Sequence, residues 1–271
     1  MRREGFLAYG ARKTTECVCA LHARLSTLAP DDLQSVEDAL AAAHRLQTCL
    51  TLFAKGYPSP RVSLWKRRLR RIVRALNALR DCLRLAEWVA AQQPPPECVA
   101  GVRRALLRLH QRAETLHQTL RQAQQRWRDD HIPNEIKGLS RRWIQSFGDE
   151  AVDADYALQV WRRFRREQLA ALESPAPSLA VRCGRVRALL EACDLLAPLG
   201  LPLECPDDLQ AHYDALNALR FREEAHRLLR ELLQGERERA LQYAGNLRSF
   251  GRIQKGWEWL MEHIGLDIIP S

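Results

Sequence analysis

The chain has 271 residues, 46% of them hydrophobic and 28% charged, a globular composition with enough material for one large core or two small ones. Its formal charge of +9 comes from 42 basic against 33 acidic residues, and only five of the basic ones (13, 55, 66, 137 and 255) are lysines. No run of about 18 apolar residues is present for a membrane span, and the N-terminus, MRREGFLAYGARKTTECVC, lacks the continuous apolar stretch of a secretory signal.

Between breakers, nearly every segment repeats its apolar residues with a period of 3.6, and none alternates convincingly as a strand. The breakers are LAPDD (28–32), KGYPSP (55–60), QQPPPE (92–97), DDHIPNE (129–135), ESPAPS (173–178) and GLPLECPDD (200–208). Pro and Gly close helices, and Asp or Ser before an apolar run opens them. The pattern predicts helices over 3–27, 33–55, 62–92, 97–128, 151–173, 179–197, 207–232 and 235–264, with a shorter piece over 135–147. Long helices with short connections predict an all-α fold of bundle type.

The eight cysteines are scattered, with Cys17-x-Cys19 the single close pair and no C-x-x-C. Cys49, Cys183 and Cys193 fall on helical faces beside Leu and Val, where a thiol acts as a small hydrophobe. Free thiols in a reducing cytoplasm are expected, with no disulfide framework. His110 and His117 can share a helix face, but no third ligand is spaced to join them, so neither a metal nor a cofactor is expected.

The charge is concentrated in the third segment. Between Asp38 and Asp81 lie 42 residues with ten Lys or Arg and no acid. Within LWKRRLRRIVRALNALRD (64–81), Arg67, Arg70, Arg71 and Arg74 fall within about 100° of one another, opposite Trp65, Leu69, Ile72, Val73, Leu76 and Leu79. With no acids three or four residues away to relieve the repulsion, such a face costs stability unless an anion offsets it. Arginine's planar fork suits phosphate oxygens. Arg80 instead projects onto the apolar side, between Val73 and Leu76. Arg220 does the same beside Tyr213, Leu216 and Leu219, and Arg182 sits among Val186, Leu189 and Cys193. A buried guanidinium must be paired or face a polar cavity. Asp81 and Glu223 are local candidates for pairing, and a basic channel is the alternative.

The chain also repeats itself. ALNALR occurs at 75–80 and again at 215–220, an offset of 140. The same offset lays LAAAHRLQTCL (40–50) over AVRCGRVRALL (180–190), aligning Arg45 with Arg185 and Leu50 with Leu190. Two similar four-helix halves are expected, over 1–130 and 151–271, joined by a connecting segment at 131–150.

These elements resemble the conserved histidine α-helical domain (CHAD) family, whose V-H-x-L-R-x-x-x-R-R-L-R helix and L-G-x-x-R-D helix recur in its second half. The corresponding stretches are VEDALAAAHRLQTCLTLF (36–53) and LNALRD (76–81), then PSLAVRCGRVRALLE (177–191) and LNALRF (216–221). The resemblance spans the whole chain and implies one domain made of two four-helix bundles related by a pseudo-twofold. It departs from the family where Glu37 and Pro177 replace the namesake histidine, where Leu40 and Gln47 replace arginines, and where Phe221 replaces an acid. It keeps Arg45, the row Lys66, Arg67, Arg70, Arg71 and Arg74, Arg80 with Asp81, and Arg182, Arg185, Arg187 and Arg220. The resemblance implies non-enzymatic binding of inorganic polyphosphate or a similar polyanion at those residues, phosphate or sulfate being small occupants of the same site. A cytoplasmic location at polyphosphate granules follows from that ligand. Nucleic acid is a weaker expectation, because single-strand recognition wants aromatics among the basic residues, and Trp65 lies on the apolar side. A helical adaptor with a degenerate anion site is the third reading. No nucleophile–His–acid arrangement suggests an enzyme; Glu167 in WRRFRREQ (161–168) stands alone. No membrane partner is expected, and oligomeric state is not legible.

Overall fold

The computed structural model describes residues 3–173, 177–205, 208–242 and 247–264. Among these the structure is all-α, with nine α-helices and no strand. They are α1 (Glu4–Ser26), α2 (Leu33–Leu52), α3 (Ser59–Ala91), α4 (Val99–Asp129), α5 (Ile132–Phe147), α6 (Ala154–Glu173), α7 (Leu179–Leu196), α8 (Leu209–Gln242) and α9 (Leu247–His263). The breakers act as their chemistry requires. The Asp32 carboxylate accepts from the Gln34 and Ser35 amides to open α2, and Ser178 caps α7 through the Val181 amide. Pro60 sits in the first turn of α3, where its missing N–H leaves nothing unsatisfied.

The predicted break near 232–235 is absent: α8 runs on to Gln242. Gly235 weakens a helix interior by about 1 kcal/mol, but the turn around it is tied down. Gln234 donates to Glu238, and Glu236 accepts from Arg239 and from Arg104 of α4. The segment at 131–150 holds α5, which packs along α1. Trp143 donates its indole N–H to the Gly56 carbonyl, Tyr57 pairs with Ser140 at 2.8 Å, and Trp65 donates to Glu135 at 2.8 Å.

Buried residues from all nine helices join in one apolar core, with Trp65 and Trp257 fully enclosed. Two glycines set its tightest crossing. A Cβ on Gly101 of α4 would lie 2.1 Å from the Ile253 carbonyl, and one on Gly256 of α9 would lie 2.3 Å from the Cys98 carbonyl. Only bare backbone lets the two helices approach this closely.

The helices that carry the repeated stretches meet in space: α2 lies against α7, and α3 against α8. The cysteine expectation is corrected at the end of α7, where Cys193 and Cys205 form a disulfide. The chain after Gly200 folds back on itself, Leu203 bonding to Leu201 and Cys205 to Leu203, which brings Cys205 beside the helix it has just left. Cys17, Cys19, Cys49, Cys82, Cys98 and Cys183 are free thiols.

Candidate functional site

Where α2 and α3 meet α7 and α8, they enclose a cavity of about 280 Å³. Four guanidiniums line it: Arg74 and Arg80 from α3, Arg187 from α7 and Arg220 from α8. Asp81 and Glu224 are the acids of its wall, and His44, Asn77, Tyr213 and Asn217 supply the remaining polar surface.

The floor is a buried triad. Arg80 and Asp81 are 4% and 5% exposed, and their positions follow from the helical angle that turns Arg80 away from the solvated row. Arg80 donates Nε and Nη2 to Asp81 Oδ1 at 3.0 and 2.7 Å. Arg220 donates Nη1 to Oδ2 at 2.8 Å and Nη2 to Oδ1 at 2.9 Å. One carboxylate therefore serves Arg80, its neighbour in sequence, and Arg220, 139 residues away. Burial alone pushes the Asp81 carboxyl up, but the Arg220 hydrogen bonds and both positive charges outweigh it and hold the group below its ordinary value. Glu223, the local candidate for Arg220, is exposed.

Above the triad the positive charge is not neutralised. Arg187 stacks over the Tyr213 ring, 4.9 Å from its centroid. Burial, then the charge of Arg80, with Arg220 adding to it, pull its guanidinium down to about 10, against a partial opposing effect from Glu191. His44 is driven in the same direction, to about 3, by burial and by Arg187, Arg80 and Arg220. At neutral pH it is an uncharged imidazole with one N–H to donate. Groups held this far from their ordinary titration report a site that favours added negative charge.

The sequence-predicted residues divide by location. Arg74, Arg80, Arg187 and Arg220 come together at the cavity. Arg67, Arg70 and Arg71 stay exposed along α3, and Lys66 is half-buried beside them. Arg70 and Arg67 continue the Arg74 face away from the cavity mouth, while Arg71 joins Arg74 and Arg126 around a groove between α3 and α4. Arg45 points elsewhere, 3.8 Å from both Glu191 and Asp194. Arg185 donates to the buried Gln168 of α6 at 2.9 Å. Arg182 is exposed rather than inward-facing: it stands in the first turn of α7, and burial on that helix begins at Cys183. Leu219 is likewise 51% exposed, so the apolar face read for Arg220 is narrower than its periodicity suggests.

Two residues escaped the sequence reading. His44 had an available signal, since it occupies the first arginine of the R-R pair in the family helix. Arg84 had none. Its guanidinium lies over the Phe221 ring at 4.3 Å, and burial followed by the charge of Arg80 lowers its pKa, with Glu37 opposing. Arg84 is thus stacked on one substituted position, Phe221, and acted on by the charge of another, Glu37.

A model of the CHAD domain matches residues 14–192. The match ends within α7, leaving α8 and Arg220 beyond it. No curated protein matches the chain, and no solved structure does. Among the described residues, no helix is long and apolar enough to cross a membrane.

Proposed function

The chain belongs to the CHAD domain family, and from that premise we propose that it binds inorganic polyphosphate, or a polyanion of similar charge density, without catalysing a reaction. The observation that carries this reading is the cavity between the repeat-bearing helices, with four guanidiniums against two carboxylates. Arg187 supplies a half-buried guanidinium that forms no ion pair among the described residues. Arg74 stands at the mouth, and the exposed row of Arg70, Arg67 and Lys66 leads away from it along α3. A phosphate in the cavity accepts from Arg187 and from the donors of Arg80 and Arg220 that Asp81 leaves unused. The neutral His44 donates where a cation would add repulsion. Adjacent phosphates of the same chain then follow the row outward. Counterions released by the polymer drive association and make it steeply salt-dependent, as for other linear polyanions.

The test is binding of long-chain polyphosphate at two salt concentrations, with duplex DNA, RNA and ATP as competitors. Tight, salt-sensitive binding that nucleic acid does not displace supports the reading; equal displacement by every polyanion overturns it. The site is tested by filling it. A Cβ on Gly184, at the cavity wall, meets no atom within 4 Å, so Gly184→Leu plugs the entrance without straining the helix. That variant, and Arg187→Ala, should lose at least tenfold in affinity with helicity intact. Unchanged binding in both places the ligand elsewhere. Replacing Arg67, Arg70, Arg71 and Arg74 together with Glu should abolish binding at unchanged helicity.

A further inference from the structure

The second Arg-rich stretch, WRRFRREQ, builds a pocket of its own. Lys55, Gln159, Arg162, Arg163 and Arg166 line a cleft of about 350 Å³ where α6 passes the turn after α2. Its four cations face one weak local partner, Glu167, which sits 3.7 Å from Arg163 with both side chains more than half exposed. Lys55, Arg162 and Arg166 form no ion pair among the described residues. Like charges gathered in a concave site repel one another unless an anion enters.

This pocket is joined to the central cavity by cations. Arg74 lines that cavity. Arg70, one turn away, donates Nε to the Lys66 carbonyl at 3.2 Å. Lys66 is next along the same face, and the turn that carries Lys55 both lies against α3 and lines the α6 pocket, which brings the N-terminal part of α3 beside the α6 cluster. From Arg74 to Lys66 the helix advances roughly 12 Å at about 1.5 Å per residue. One orthophosphate cannot reach both ends, whereas a linear chain can.

We propose that the α6 pocket is a second anchoring site for the same ligand, so that one polyphosphate chain is held at the central cavity, crosses the α3 row and ends among Arg162, Arg163 and Arg166. The inference rests on the polyphosphate reading of the cavity and adds a length requirement to it. Two anchors on one chain make the second contact intramolecular, so affinity rises sharply once the chain spans both.

The experiment compares tripolyphosphate with long-chain polyphosphate on the wild type, on Arg162→Ala/Arg166→Ala and on Gly184→Leu. Both arginines are exposed, so the double variant folds as the wild type does. It should lose at least tenfold in affinity for the long chain, with a salt dependence shallower by about 1.4 in logarithmic slope (two contacts at roughly 0.7 each). Its affinity for tripolyphosphate should stay within twofold, while Gly184→Leu loses both ligands. A double variant that keeps long-chain affinity and slope overturns the second anchor and leaves the cavity reading standing. Equal losses for both chain lengths also overturn it, since the α6 pocket would then be the primary site. A wild type that binds neither ligand overturns both proposals.

Discussion

Asp81→Asn should make the protein less stable and a better anion binder at once. The side chains of Arg80, Asp81 and Arg220 are 5%, 7% and 13% exposed, so the two guanidiniums depend on that carboxylate rather than on water. An asparagine still accepts through its Oδ1 but carries no charge, and breaking a buried ion pair by removing one partner costs about 3–5 kcal/mol. At roughly 2–4 °C per kcal/mol for a chain of this size, the melting temperature should fall by about 6–20 °C. The cavity wall meanwhile changes from four cations against two acids to four against one. A negative charge removed about 6 Å from a bound phosphate, at an effective dielectric constant of about 20 to 40, contributes roughly 1.4–3 kcal/mol, or tenfold and upward in affinity. Thermal unfolding followed by circular dichroism, with and without polyphosphate at low salt, measures the first effect, and titration calorimetry the second. The ligand should restore more of the melting temperature in Asp81→Asn than it adds to the wild type. A variant as stable as the wild type, or one that binds polyphosphate more weakly, would refute the argument that Asp81 is an internal counterion competing with the ligand.

Other measurements test other parts of the structure. His44 binds a proton near pH 6.5 when unfolded but only near pH 3 in the folded cavity. Between those values the unfolded state holds more protons, so stability should decline as pH falls through the window, and His44→Gln should flatten that decline in urea titrations. Polyphosphate should lift the His44 pKa, seen as proton uptake on binding near pH 5. Gly256→Ala places a methyl 2.3 Å from the Cys98 carbonyl, forcing α9 away from α4. Overpacking of this kind costs about 1–3 kcal/mol or more, read as a lower urea midpoint, while Gly184→Ala should cost nothing. Cys205→Ser opens the loop whose ends, Cys193 and Cys205, are separated by 12 residues, with an expected loss of roughly 2–3 kcal/mol. A reductant should lower the melting temperature of the wild type equally and leave the variant unchanged.

What the sequence determined by itself is the set of features written into one helix at a time. The 3.6 period and the breakers delimit α1 to α7 closely, and miss at 232–235, where a break between helices was read inside α8. The angle of each residue about its own axis separates the solvated row of α3 from Trp65, Leu69 and Leu76, all of which are fully buried. The same angle turns Arg80 and Arg220 inward, and the 140-residue offset pairs stretches of sequence that lie on α2 and α7 and on α3 and α8. Tertiary structure decided what stands opposite each face. The period cannot say that one Asp81 serves both Arg80 and Arg220, that Arg45 meets Glu191 and Asp194, or that Arg185 is taken by Gln168. Nor can it say that Arg182, in the first turn of α7, stays exposed, or that Cys205 folds back onto Cys193. A helical pattern orients side chains relative to their own axis and carries no information about the neighbouring helix. Burial, pairing and the displaced titration of His44 and Arg187 all arise from that neighbour, and packing alone supplies it.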